Sequence, residues 1–106
     1  MFDDANDEPE TGWGHVASHD DAPAVIDTLL RLDPEATYTK TELSDEAGVA
    51  LKSLYLDGTL DHLVEMGFLE KHADEGEEAL FSVDVDTDVF EAAVAFDDAI
   101  AARLDE

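Results

Sequence analysis

Side chains able to make directed polar contacts are scarce in this sequence of 106 residues, where five Lys and Arg stand against 29 Asp and Glu. Seven candidates fall between positions 40 and 62: Lys40, Thr41, Lys52, Ser53, Tyr55, Thr59 and His62. Lys52, Tyr55, Thr59 and His62 recur at steps of three, four and three. On one helix they would form an uncharged-to-basic edge able to donate to base edges or phosphates. Lys40 sits between the hydroxyls of Thr39 and Thr41 at a predicted helix start, where free backbone N–H groups suit a phosphate. More than a quarter of the chain is acidic, yet Ala47 to Leu56 holds no Asp or Glu. Two readings of that window stand: a surface that meets polyanions, or a turn free of acids because it is partly buried. A second edge, Asp57, Asp61 and Glu65 at steps of four, would oppose duplex DNA unless it accepts from cytosine amino groups or acts through bound cations.

Other chemistries find little support. Without Cys there is neither a disulfide frame nor a thiolate metal site. Combinations of Ser, His and Asp are inevitable in a chain this rich in Asp, so they do not mark an enzyme, and none is expected. His15 and His19 are four apart and would share a helix face as ligands with Asp20. In an acidic, Gly-containing segment without a rigid surround, solvated histidines are the simpler reading, and no metal site or cofactor is expected. The clustered carboxylates should bind hard cations nonspecifically.

The elements that would position these residues can be read in order. Residues 1–19 form an acidic N-terminal segment expected to be disordered, with Trp13 as an anchor packing back on the domain. Pro23 suits the first turn of a helix starting near Asp21 or Ala22. Val25, Leu29 and Leu32, flanked by Ile26 and Leu30, give it a wide apolar stripe, and Asp33-Pro34 ends it. Thr37 to Thr39 read as a short extended piece able to pair with a later hairpin. Thr39 and Glu42 make a T-x-x-E capping box for a second helix from about Lys40, with Leu43 and Ala47 buried and Gly48 as its left-handed terminator. A third helix is predicted up to Met66, with Leu56, Leu60, Leu63 and Val64 facing the core and Ser53 as a candidate cap. Gly58 inside it costs about 1 kcal/mol relative to Ala, which either a close backbone approach or a tolerant solvent position would explain.

Phe68 to His72 and Leu80 to Val85 read as two strands, with Phe81, Val83 and Val85 alternating against Ser82 and Asp84. Their loop, Ala73 to Glu78, has no basic tip, so little minor-groove contact is expected from it. A last helix from Asp88 carries Val89, Ala93, Phe96, Ile100 and Leu104 at steps of four, three, four and four. Such a seam is longer than a served core needs, and pairing with a second copy competes with packing back onto the first helix. The fold class is therefore mainly α with a small antiparallel β wing: a winged helix-turn-helix with a three-helix core, a β-hairpin wing and an extra C-terminal helix. Its divisions are residues 1–19, a domain over 20–86, and a dimerising helix over 87–106.

Thr39-Lys40-Thr41-Glu42-Leu43-Ser44-Asp45-Glu46-Ala47-Gly48-Val49, followed by Leu60-Asp61-His62-Leu63-Val64-Glu65-Met66-Gly67-Phe68-Leu69, resembles the small winged helix-turn-helix transcription regulators of haloarchaea. The resemblance spans roughly Ala22 to Val85 and implies a third helix that enters the major groove with the hairpin beside it. Two departures stand out: Ala50 replaces a Ser often found after the turn Val, and the link to the third helix is about two residues longer than usual. The net charge of -24, with almost no Lys or Arg and Asp no scarcer than Glu, also resembles proteins of salt-accumulating haloarchaea. At 1 M salt the Debye length is about 3 Å, so repulsion from phosphates beyond contact distance is largely screened.

The expectation is a sequence-specific regulator bound to double-stranded DNA, homodimeric and cytoplasmic, reading DNA with the turn and third helix. No apolar run approaches the roughly 18 residues a membrane span needs, and no signal peptide is read at the acidic start. The alternative is a protein-interaction module on a winged helix that no longer binds DNA. A DNA-mimicking inhibitor is a third, less supported idea.

Overall fold

The computed structural model describes residues 11–73 and 76–105. These form six helices and a two-stranded antiparallel hairpin, so the architecture is mainly helical with a small sheet. The expected disorder of Met1 to Glu10 lies outside the described residues. The rest of that segment corrects the expectation. Gly12–Ala17 is a helix, α1, started by Thr11, whose Oγ1 accepts the Gly14 N–H at 2.9 Å. Trp13 meets Phe96 with ring centroids 5.3 Å apart, although most of the indole stays exposed.

Helix α2, Ala22–Leu29, has Pro23 in its first turn and buries Val25 and Leu29, with Ile26, Leu30 and Leu32 packed at the edge of the core. Asp33 opens a turn closed by the Ala36 N–H on its carbonyl at 3.2 Å, and Tyr38 then makes a single antiparallel bridge to Phe81, exchanging two backbone hydrogen bonds of 2.8 Å. The predicted extended piece thus adds one bridge to the hairpin. Helix α3, Lys40–Ala47, opens on the expected capping box: Thr39 Oγ1 accepts from the Glu42 N–H and Glu42 Oε1 from the Thr39 N–H. Gly48 ends it at φ 70°, and the Ser44 hydroxyl donates to the Val49 carbonyl at 2.6 Å, fixing the turn.

The predicted third helix is two helices. Helix α4, Leu51–Asp57, stops at Gly58, whose φ of 66° lies in the left-handed region, and α5 runs over Thr59–Met66. No i to i−4 ladder passes through a left-handed residue, so the chain changes direction there. The apolar stripe divides accordingly. Leu60 and Leu63 are buried, but Leu56 is 71 % exposed and Leu54 takes the core position instead. Ala50 is the residue before α4, and Ser53 lies inside the helix, not at its cap.

Strands β1 (Leu69–His72) and β2 (Leu80–Val83) pair in the register Leu69 with Val83 and His72 with Leu80. Phe81 and Val83 point inward as the alternation predicts, while Val85 lies past the strand and is exposed. Helix α6, Asp88–Leu104, is capped by Thr87, which accepts from the Phe90 N–H at 3.1 Å. The same hydroxyl donates to the Gly67 carbonyl at 2.6 Å and ties the start of α6 to the end of α5. Leu29, Leu43, Leu63, Leu69 and Phe81 form the centre of the core, each such side chain contributing about 1.5–3 kcal/mol on burial. Among the described residues no helix is long and apolar enough to cross a membrane.

Candidate nucleic-acid interface

The α3–α4 corner presents one face made from two helix starts. The capping box orients the first turn of α3, where Lys40 Nζ lies 4.5 Å from the centroid of the Tyr55 ring on α4. At an exposed position that cation–π contact is worth about 0.5–1 kcal/mol, enough to favour one placement of a flexible Lys. Lys40, Thr41, Leu51, Lys52 and Tyr55 line a shallow depression of about 480 Å³. Glu78 and Ala79 from the hairpin complete its rim, so one carboxylate reaches a surface that is otherwise free of acids.

The acid-free window is not hidden. Lys52 and Ala50 are exposed, Tyr55 is 69 % exposed, and Leu51 and Leu56 also face outward. Leu54 alone among the α4 residues is buried, and Ser53 is half-buried. The lack of Asp and Glu between Ala47 and Leu56 is therefore a property of a surface. Two of the chain's five basic residues stand on or beside it.

The remaining candidates fall elsewhere. Thr59 is wholly buried at the first position of α5, with no hydrogen-bond partner for Oγ1. His62 lies on α5 beside α1, its Nε2 3.1 Å from His15 Nδ1. The edge inferred from steps of three, four and three needs one continuous helix, and Gly58 breaks it between Tyr55 and Thr59. The opposing acidic edge breaks at the same place. Asp61 faces Lys71 at 3.3 Å, and with Glu65 it belongs to α5, leaving Asp57 alone at the end of α4.

Two further features lay beyond reading by spacing. One is an open groove of about 1030 Å³ bounded by α1, α2 and α6, lined by Trp13, Val16, Ile26, Leu30, Met66, Phe68 and the α6 residues Val89, Ala93, Phe96 and Ile100. Ala93 is half-buried, whereas Val89, Phe96, Ile100 and Leu104 remain exposed. Helix α6 therefore packs back through Phe90, Ala93 and Val94 and still leaves most of its seam uncovered. The other is a meeting of three imidazoles, with the rings of His15 and His19 centred 5.1 and 4.8 Å from that of His62. Burial, then His19 and His15, hold the His62 pKa below its ordinary value, while Glu65 acts in the opposite direction. Trp13 was the sequence signal for the groove; only the partner of the His15/His19 pair was missing for the imidazoles. Comparison with protein-family models, characterised proteins and solved structures found no match to this chain.

Proposed function

We propose that this chain is a winged helix-turn-helix transcription regulator of the haloarchaeal type, acting in the cytoplasm as a homodimer that reads duplex DNA with the α3–α4 turn and helix α4. The exposed, acid-free stretch of the turn and α4 that holds Lys52 and Tyr55, with Lys40 and Thr41 beside it and Glu78 at its rim, carries this reading. In a chain of net charge -24, a surface reached by one carboxylate and supplied with two Lys needs a reason. A phosphate backbone is the commonest partner that would supply it. In this arrangement α2, α3 and α4 are the helical unit, α4 is a two-turn reading helix, and β1–β2 is the wing. The wing brings no cation to the face among the described residues, since Glu78 and Ala79 are what it places on the rim.

The uncovered seam of α6 supports the dimer. Val89, Phe96, Ile100 and Leu104 on one copy would close the groove of the other about a two-fold axis, the commonest symmetry of soluble oligomers. Fluorescence anisotropy with genomic fragments in molar potassium chloride tests the function. At least one fragment should bind about tenfold or more tightly than random duplex, a difference of about 1.4 kcal/mol. Equal affinity for all duplexes would sink the reading. Raising the salt should change affinity little, or increase it, because the acidic surface takes up cations as it approaches DNA.

A second reading draws on the same face. Leu51, Tyr55 and Leu56 are apolar and exposed, a composition that suits a protein partner as well as thymine methyls. A stoichiometric protein partner that co-purifies without DNA, and is lost in Leu56→Asp, would favour an interaction module.

A further inference from the structure

His15, His19 and His62 come from three places: helix α1, the turn that follows it, and helix α5. They account for three of the four histidines in the chain, and the duplex-binding reading uses none of them in this position. His15 Nδ1 and His62 Nε2 lie 3.1 Å apart. Two neutral imidazoles at that separation either share one N–H···N hydrogen bond or turn both lone pairs towards one cation. Tetrahedral ligands at about 2.0–2.1 Å from a zinc ion have nitrogens about 3.3 Å apart, so the two nitrogens already stand near chelating distance. His19 is half-buried, and its ring centre is 4.8 Å from that of His62. Among the described residues no group of three or more His, Cys, Asp or Glu is placed to hold a metal ion as it stands. His15 and His62 are at the right separation, and the His19 ring must rotate on its turn to join them.

We propose that His15, His62 and His19 form a binding site for a borderline transition-metal ion of the zinc class, with water completing the coordination. All-imidazole donors favour zinc, nickel, copper and cobalt over magnesium and potassium, which prefer oxygen. That preference matters in a chain covered with carboxylates and bathed in salt, because hard cations occupy the acids without competing for the nitrogens. Binding has a structural consequence. Helix α1 buries none of its residues, so an ion shared with α5 would pin it to the domain and, through Trp13 against Phe96, fix one wall of the groove beside α6.

The test is calorimetric titration of the full chain with zinc chloride in molar potassium chloride and excess magnesium chloride, which saturates the carboxylates. One ion per chain should bind, the melting temperature should rise, and cobalt(II) should give visible bands of a low-coordinate nitrogen site. His15→Gln and His19→Gln, both outside the buried core, should each weaken binding at least about tenfold, because each removes one of three donors. His72→Gln should change nothing, since His72 lies on β1 bonded to Ser82. For His62→Gln, whose fold could suffer, paramagnetic shifts from cobalt on the wild-type histidine ring protons replace affinity as the readout. They should mark residues 15, 19 and 62 and spare 72. Zinc uptake of equal strength in His15→Gln, or no uptake beyond the carboxylate background, overturns the site whether or not the chain binds DNA.

Discussion

The α3–α4 face and the α1–α2–α6 groove are opposite kinds of surface on one small domain. The face is mostly local: Lys40 to Leu56 spans two neighbouring helices and one turn, and its character comes from the absence of acids between Ala47 and Leu56. The groove is assembled from the two ends of the described chain, with Trp13 against Phe96 and Arg31, in the turn after α2, reaching Asp97 of α6 at 3.3 Å. High salt treats them differently. Screening at a Debye length of about 3 Å weakens the Lys contacts of the face as well as the repulsion around it. The apolar groove keeps its driving force, and salts excluded from the protein surface strengthen it. With five basic residues, the proposed regulator would draw most of its association energy from the groove and its selectivity from the face.

Phe96→Asp should have the largest effect. It places a carboxylate in the centre of the uncovered seam and should raise the dimer dissociation constant about a hundredfold, as loss of a central aromatic anchor does. Light scattering across a concentration series would read it, and an unchanged mass would move the interface off α6. Lys52→Glu should come next, weakening duplex binding about tenfold or more with circular dichroism unchanged. Binding that survives the charge reversal would reassign the contact and remove the local half of the contrast.

A smaller pair of effects compares the two regions through their helix caps. Thr39→Ala opens the box that orients Lys40, and Thr87→Ala removes the cap of α6. Each should cost about 1 kcal/mol in denaturant unfolding. The loss at Thr87 should be the greater, because its hydroxyl also satisfies the Gly67 carbonyl in a partly buried place. Equal losses would mean that this second bond contributes nothing net.

How far the sequence disclosed all this depended on the range of the signal. Thr39 and Glu42, Gly48, Pro23 and the alternation through Phe81 and Val83 are local chemistry, and each produced the element it predicts. The acid-free window was legible for the same reason, since composition over ten positions needs no knowledge of the fold. Thr59 and His62 were misplaced because a periodicity argument assumes an unbroken helix, and Gly58 satisfies a period of 3.6 while ending the ladder. The groove and the imidazole cluster join positions 47 to 83 residues apart, His15 to His62 and Trp13 to Phe96, and no spacing rule reaches that far. Helix α1 escaped because Gly12 and Gly14 lower its propensity, and its support comes from Thr11 and from α6.

Gly58 is the hinge of the comparison, and Gly58→Ala measures how firmly the break is held. A Cβ at this position would meet nothing within 4 Å, so sterics with neighbours do not oppose the change. What opposes it is the left-handed backbone, which costs a non-glycine residue about 1–2 kcal/mol. Against that, Ala gains about 1 kcal/mol over Gly wherever the residue becomes helical. If α4 and α5 stay separate, the variant should lose about 1 kcal/mol, with little change in helix content. A more stable variant with higher helicity would mean that the two segments fuse. Fusion would put Tyr55, Thr59 and His62 back on one edge and pull Thr59 out of the core. Duplex affinity measured on the same variant then decides whether the short reading helix is needed. An unbroken helix that binds DNA more tightly would show that the break limits the face instead of shaping it.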